Sequence, residues 1–247
     1  MRAKAILGVS LLAVLGVAAS AHAAPAAPAM ELRIAGGAGD VSSAVKIMLG
    51  LTVLSLAPAI LMSMTSFIRI VVSLSMLRHA LGMPETPPNA VIVSLALFLT
   101  FFTMAPTLQQ VNTQALQPYL AGKVGTEKAL ERAVGPLREF MVRQTREQDL
   151  ALMVELAHAA PPQDIDDISL VQLIPAFMLS ELRAAFQIGF VLFLPFLLVD
   201  LIVSSALMAL GMMMVPPASI ALPLKILLFV LMDGWNLVVR SLLGTFA

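Results

Sequence analysis

Four long apolar stretches, separated by polar or proline-rich joints, dominate the pattern of this chain. The first runs from about Val45 to Met64 with Pro58 inside it, and the second from about Asn89 to Ala105, opened by Pro87-Pro88 and closed by Pro106. A third covers roughly Ala184 to Leu210, with Pro195 as a predicted kink, and the last runs from Ser219 to about Leu243 around Pro223. Each is long enough as a helix to cross about 30 Å of hydrocarbon, the second only just. Between the first two, Phe67 to His79 reads as an amphipathic helix that lies against a surface or a neighbour. Proline inside a span frees a backbone carbonyl that lipid cannot satisfy. The prediction is therefore all-α: an integral membrane protein of about four hydrophobic helical segments, packed into a larger protein assembly.

The region 107–168 is the only soluble-looking one. Thr126 predicts the cap of a short helix ending at Gly135, and Pro136 the first position of a second helix running to about Ala159, before Pro161-Pro162. Glu139 and Arg143, and Arg143 and Glu147, stand at i,i+4 spacing and mark a solvated face. Phe140, Met141, Leu152, Met153 and Leu156 are expected in core or subunit contacts. The region holds six Lys/Arg and nine acidic residues. At about 60 residues it can translocate despite its bases, which predicts an extracytoplasmic lobe. Arg69 and Arg78 then favour the cytoplasmic side.

Composition sharpens the class. Of 247 residues, 59% are hydrophobic and 12% charged, against about 25% charged in soluble domains. Net charge is zero, with no basic block suited to nucleic acid. The absence of cysteine excludes disulfides and thiolate chemistry, and three scattered histidines (His22, His79, His158) offer no zinc arrangement, so no cofactor is expected. Arg2 and Lys4, the apolar run Ile6 to Ala19 and Ala21-His22-Ala23 read as a signal peptide (1–23) cut after Ala23, an uncleaved anchor helix being the alternative that the short apolar run disfavours. Residues 24–44 then form a flexible mature segment outside the cytoplasm, followed by a hydrophobic pair over 45–106 and a C-terminal hairpin over 169–247.

The chemistry-bearing positions lie in that hairpin. Asp200 stands 11 residues before Gly211, and Lys225 stands 8 after Pro217. At 1.5 Å per residue these are depths of roughly 16 and 12 Å from the turn, so the charges fall nearly level. An ionisable group at membrane depth has a partner or a path. Pairing is the cheapest arrangement, architectural or switching, within one chain or between two. Asp233, roughly 24 Å from the turn, does not reach Asp200 on this geometry. That disfavours an intramembrane aspartyl dyad, whose carboxylates must share a proton. The turn itself, Gly211-Met212-Met213-Met214-Val215-Pro216-Pro217, admits two readings of its methionines: gap-filling, or a deformable gasket around a pore.

Three blocks carry a resemblance: SMTSFIRIVVSLSMLRHALGMPETPPNAVIVSLALFLTFFTMAPT, GPLREFMVRQTREQDL, and LIPAFMLSELRAAFQIGFVLFLPFLLVDLIVSSALMALGMMMVPPASIALPLKILLFVLMDGW. Over about residues 45–235 the chain resembles the FliP family, the flagellar branch of the type III secretion export-gate proteins. The resemblance implies several copies of the chain, assembled with FliQ-like and FliR-like subunits into a helical gate in the flagellar basal body of the bacterial inner membrane. Unfolded flagellar subunits pass through that gate. It also implies that Met212, Met213 and Met214 form the constriction, that the family's charged positions fall on Glu181, Asp200 and Lys225, and that the role is not enzymatic. The injectisome counterpart and a proton-coupled small-solute transporter are the competing readings.

Overall fold

The computed structural model describes residues 38–158 and 167–246, so the expected signal peptide and the segment 24–37 lie outside the described residues. Every regular element among the described residues is helical: α1 (Ala38–Met64), α2 (Phe67–Ala80), α3 (Asn89–Val111), α4 (Thr126–Gln144), α5 (Glu147–Leu156), α6 (Leu170–Ala209), α7 (Pro217–Leu231) and α8 (Gly234–Gly244). The all-α membrane class expected from the pattern holds. Asn89–Leu120 and Leu170–Ala209 are long and apolar enough to cross a membrane. The bent pairs Ser55–Met64 with Phe67–Ala80 (72°) and Pro217–Leu231 with Gly234–Gly244 (67°) would raise the number to four.

Helix boundaries depart from expectation where proline was read as a stop. α3 runs through Pro106 and continues by a wide π-type turn (Asn112–Leu116) to Leu120. α4 runs through Gly135-Pro136 as one helix. An internal proline removes one i→i−4 bond, whereas ending an apolar helix there would leave several backbone groups unpaired. The real break comes at Thr145, whose backbone is extended and whose hydroxyl bonds the Met141 carbonyl at 2.7 Å. Gly125, not Thr126, occupies the N-cap position. Arg143 and Glu147 flank that break, so their spacing is not helical. Phe140 and Met141 are core, while Leu152 and Leu156 are exposed.

α6 begins at Leu170, well ahead of the expected Ala184, with Pro175 and Pro195 inside it. Its 40 residues span roughly 60 Å, about twice the hydrocarbon thickness. The segment 219–243 is not one helix. It breaks at Asp233, which takes the left-handed conformation (φ 49°). Likewise α1 starts at Ala38, inside the stretch expected to be flexible.

α2, expected to lie on a surface or a neighbour, is the central element. Ile70, Leu74, Leu77 and Ala80 are buried against Ile92 and Ala96 of α3, Phe196 of α6, Phe229 of α7, and Val238 and Leu242 of α8. Its approach to α6 is close: a Cβ at Gly189 would lie 2.2 Å from the Met76 sulfur. A second cluster joins Met104, Phe140, Met141, Ile168, Leu173 and Phe177, tying α4 to α3 and the start of α6. Phe246 packs against both clusters.

Candidate functional site

The hairpin of α6 and α7 turns at residues 211–216 through hydrogen-bonded chain reversal, not through solvent exposure of a loose loop. Gly211 takes φ +71°, a conformation glycine adopts without strain. Its N–H donates to Met208 O at 3.0 Å, and the Met212 N–H to Leu207 O at 3.0 Å. These two bonds satisfy carbonyls that the end of α6 would otherwise orphan. Pro216 and Pro217 then start α7 with φ already suited to a first turn. The methionines are left projecting: Met213 is 86% and Met214 98% exposed, Met212 less so. A rigidly capped turn therefore presents flexible side chains.

Behind the turn, Lys225 Nζ donates to Asp200 Oδ2 at 2.6 Å. The pair forms within one chain, at the near-equal depths expected from the helical rise. The two ends differ in environment, since the side chain of Lys225 is 9% exposed and that of Asp200 45%. Lys225 also donates to Ala80 O at 3.3 Å, which ties the pair to the end of α2. Asp200 borders an open groove of about 490 Å³ lined with Ser204, Ser219, Leu222 and Gly82.

Glu181 sits elsewhere, at the junction of four elements, and is fully buried. Arg69 of α2 forks onto it: Nε donates to Oε2 at 3.0 Å, and one terminal nitrogen to Oε1. That nitrogen also reaches Gln144 Oε1 at 3.0 Å, while the other donates to Thr245 O at 3.2 Å and Thr245 Oγ1 at 3.1 Å. The guanidinium lies 4.0 Å from the centroid of the Phe246 ring. A buried carboxylate is tolerable because a bidentate guanidinium meets it with matched geometry.

One residue earlier, Ser180 serves α5. Its hydroxyl donates to Asp149 Oδ2 at 2.7 Å and accepts from the Arg146 N–H at 3.0 Å. Arg183 completes the cluster at 3.2 Å from Asp149 Oδ1. A single turn of α6, residues 180–183, thus holds α2, α5 and, through Arg69, the end of α4. Sequence reasoning read Arg69 for topology and passed over Asp149 and Ser180. For Arg69 a signal existed: it is a charge amid Phe67, Ile68, Ile70 and Val71, the same signature that marked Asp200.

Asp233 takes no part in these clusters. It accepts from Asn236 Nδ2 at 3.0 Å, at the bend between α7 and α8. Asp200 is engaged by Lys225, so the two are not arranged as a dyad. Among the described residues no group of three or more His, Asp or Glu side chains is placed to hold a metal ion.

Comparison with known proteins assigns the chain. The family model described as "FliP family" matches residues 50–242. A protein of Bacillus subtilis (strain 168) named "Flagellar biosynthetic protein FliP" is 52% identical over 207 residues, covering 84% of this chain and 94% of that relative. The protein of the same name from Pectobacterium carotovorum subsp. carotovorum is 54% identical over 196 residues, 79% of this chain and 76% of its own length. The one from Caulobacter vibrioides is 47% identical over 238 residues, 96% of this chain and 90% of its own. The matched region holds the capped methionine turn and the ion pairs Asp200–Lys225, Arg69–Glu181 and Arg183–Asp149, and on this match the chain belongs to the FliP family.

Proposed function

We propose that this chain works in the flagellar export apparatus as a core subunit of its type III protein export gate. In that role several copies join FliQ-like and FliR-like subunits in the inner membrane, at the flagellar basal body. Together they form the channel that unfolded flagellar subunits cross. The contribution is structural, with no catalytic step. One observation carries the channel reading: a rigidly capped turn offers Met213 and Met214 almost wholly to their surroundings. Methionine at such a tip is costly for a chain working alone, whereas soft thioethers from several copies meeting around an axis seal a pore and still yield to varied cargo. The unpartnered apolar face of α6, with Phe186, Phe190, Leu194, Leu197 and Leu201 exposed, supports association with neighbours or lipid. The flagellar relatives favour flagellar over virulence cargo.

The test places a photo-crosslinking residue at Met213 in cells expressing an export substrate fused to a domain that cannot unfold. The expected result is a crosslink to the stalled substrate, lost when the substrate's export signal is removed. Crosslinks confined to lipid, in cells where the substrate is demonstrably stalled, overturn the channel role of the turn.

A further inference from the structure

We propose that α8 is a hinged flap held in its bent position by Arg69, and that the same guanidinium couples the flap to the Glu181 ion pair. The observations come from both ends of α8. At its start, the chain turns through 67° at Asp233, which sits in the left-handed region. The next residue, Gly234, accepts the Phe229 ring so closely that a Cβ there would stand 2.2 Å from two ring carbons. Apolar sequence continues on both sides of this bend, so a straight helix from Pro217 to Gly244 is the competing conformation.

At its far end, α8 finishes at Thr245, whose carbonyl belongs to the last turn and lacks an intrahelical donor. Arg69 supplies that donor from α2 and adds a bond to the Thr245 hydroxyl. Its positive charge stands where the helix dipole favours a cation. Phe246 closes over the guanidinium and packs against both core clusters. Every nitrogen of Arg69 is engaged: Nε and one terminal nitrogen by Glu181 and Gln144, the other by Thr245. With Nε and one terminal nitrogen fixed on Glu181, moving Thr245 away leaves the other terminal nitrogen without either of its acceptors. Flap position and the ion pair are therefore linked through one rigid fork.

The chain has no native cysteine, so spin labels at Ser219→Cys and Ser241→Cys, both exposed positions, report the bend cleanly. From helical rise and the observed angle, the backbone separation is about 28 Å bent and about 33 Å straight. Dipolar spectroscopy on the full chain, with labelled copies diluted among unlabelled ones, should give the short distance in the background sequence. R69K keeps a charge for Glu181, yet one ammonium cannot also fork onto Thr245 and stack on Phe246. It should move a resolved population to the long distance, as should F246L, which keeps apolar bulk and loses the aromatic face. F246Y should stay short. The proposal is overturned if R69K and F246L both keep the short distance, or if F246Y lengthens as much as F246L. Should R69K fail to accumulate, the F246L and F246Y pair decides the matter alone.

Discussion

Replacing each member of the Arg69–Glu181 pair with methionine, singly and together, should show strong coupling. The structure makes the two single changes unequal. In Glu181→Met, Arg69 keeps three bonds, to Gln144 and twice to Thr245, and the face of Phe246. Breaking a buried pair costs about 3–5 kcal/mol, and these residual partners put Glu181→Met at the lower end, about 3 kcal/mol. In Arg69→Met, a fully buried carboxylate loses both its donors, and Gln144 and Thr245 lose theirs. Gln144 is only half-buried and Thr245 is exposed, so water takes up part of their loss, and the stranded carboxylate puts the cost at the upper end of that range, about 5 kcal/mol. The double variant removes both charges and fills the site with apolar side chains of similar length, a change that is often neutral or stabilising. Only the Gln144 and Thr245 acceptors remain unmet, leaving a net cost of about 2 kcal/mol or less.

The measurement is unfolding of the detergent-solubilised chain, followed by the fluorescence of its single tryptophan. Trp235 lies edge-on to Phe229 at 5.4 Å and so reports on the central core. The expected order of destabilisation is Arg69→Met, then Glu181→Met, then the double variant, with a coupling of at least about 3 kcal/mol. A double variant as unstable as the sum of the singles would refute the reasoning, because it would mean that the two side chains do not depend on each other.

Further expectations follow from the same geometry. Asp200→Asn leaves the buried Lys225 ammonium with neutral acceptors and no compensating charge, so it should impair assembly more than Lys225→Met, which leaves a half-exposed carboxylate. The swap Asp200→Lys with Lys225→Asp should recover part of the motility lost in either single charge change, and no recovery would argue against direct pairing. Shortening Met212, Met213 and Met214 together to alanine should leave an assembled complex with export retained but leaky to small ions in a conductance assay. An assembled mutant as tight as wild type would reduce these residues to packing. Gly234→Ala, forced against a ring wedged between Phe196 and Trp235, should cost about 1–3 kcal/mol. Gly189→Ala meets a flexible methionine and should cost less, and equal losses in thermal unfolding would contradict this account.

The parts legible in the sequence were those governed by local arithmetic. Helical rise from a marked turn places Asp200 level with Lys225, and the glycine and prolines that bound the turn need no tertiary information. What escaped depended on contacts distant in sequence. Glu181 and Arg183 interrupt the apolar run before Ala184, so periodicity alone ended the third helix there. Their charges are instead absorbed by Arg69 and Asp149, from helices far upstream. Pro106 and Gly135-Pro136 looked like stops because an isolated helix would break there, yet Pro136 is buried in the fold and the turns that follow it, with Leu137, Phe140 and Met141, are held by the second cluster. The bend at Asp233 was hidden for the opposite reason. Nothing in an apolar run announces that Phe229 will occupy the space a side chain at position 234 would need.

These placements change how the charges in the hairpin are understood. From sequence, Asp200 and Lys225 looked like ions at mid-membrane, a costly position. Along α6, however, Glu181 and Asp200 are 19 residues apart, or about 28 Å by helical rise. That is close to the thickness of a bilayer's hydrocarbon core. The residues between them expose Phe186, Phe190, Val191, Leu194, Leu197 and Leu198, and none is charged after Arg183. A bilayer centred on this run would leave one ion pair level with each of its faces: the half-exposed Asp200 can then meet water and headgroups, while the buried Glu181 relies on Arg69. The remaining turns of α6 then carry the methionine turn roughly 16 Å beyond the Asp200 level. A tip standing that far from the apolar band needs stiffness. The Lys225 bonds to Asp200 on α6 and to Ala80 at the end of α2 provide it. On this reasoning we propose that the pair braces the hairpin that presents the methionines.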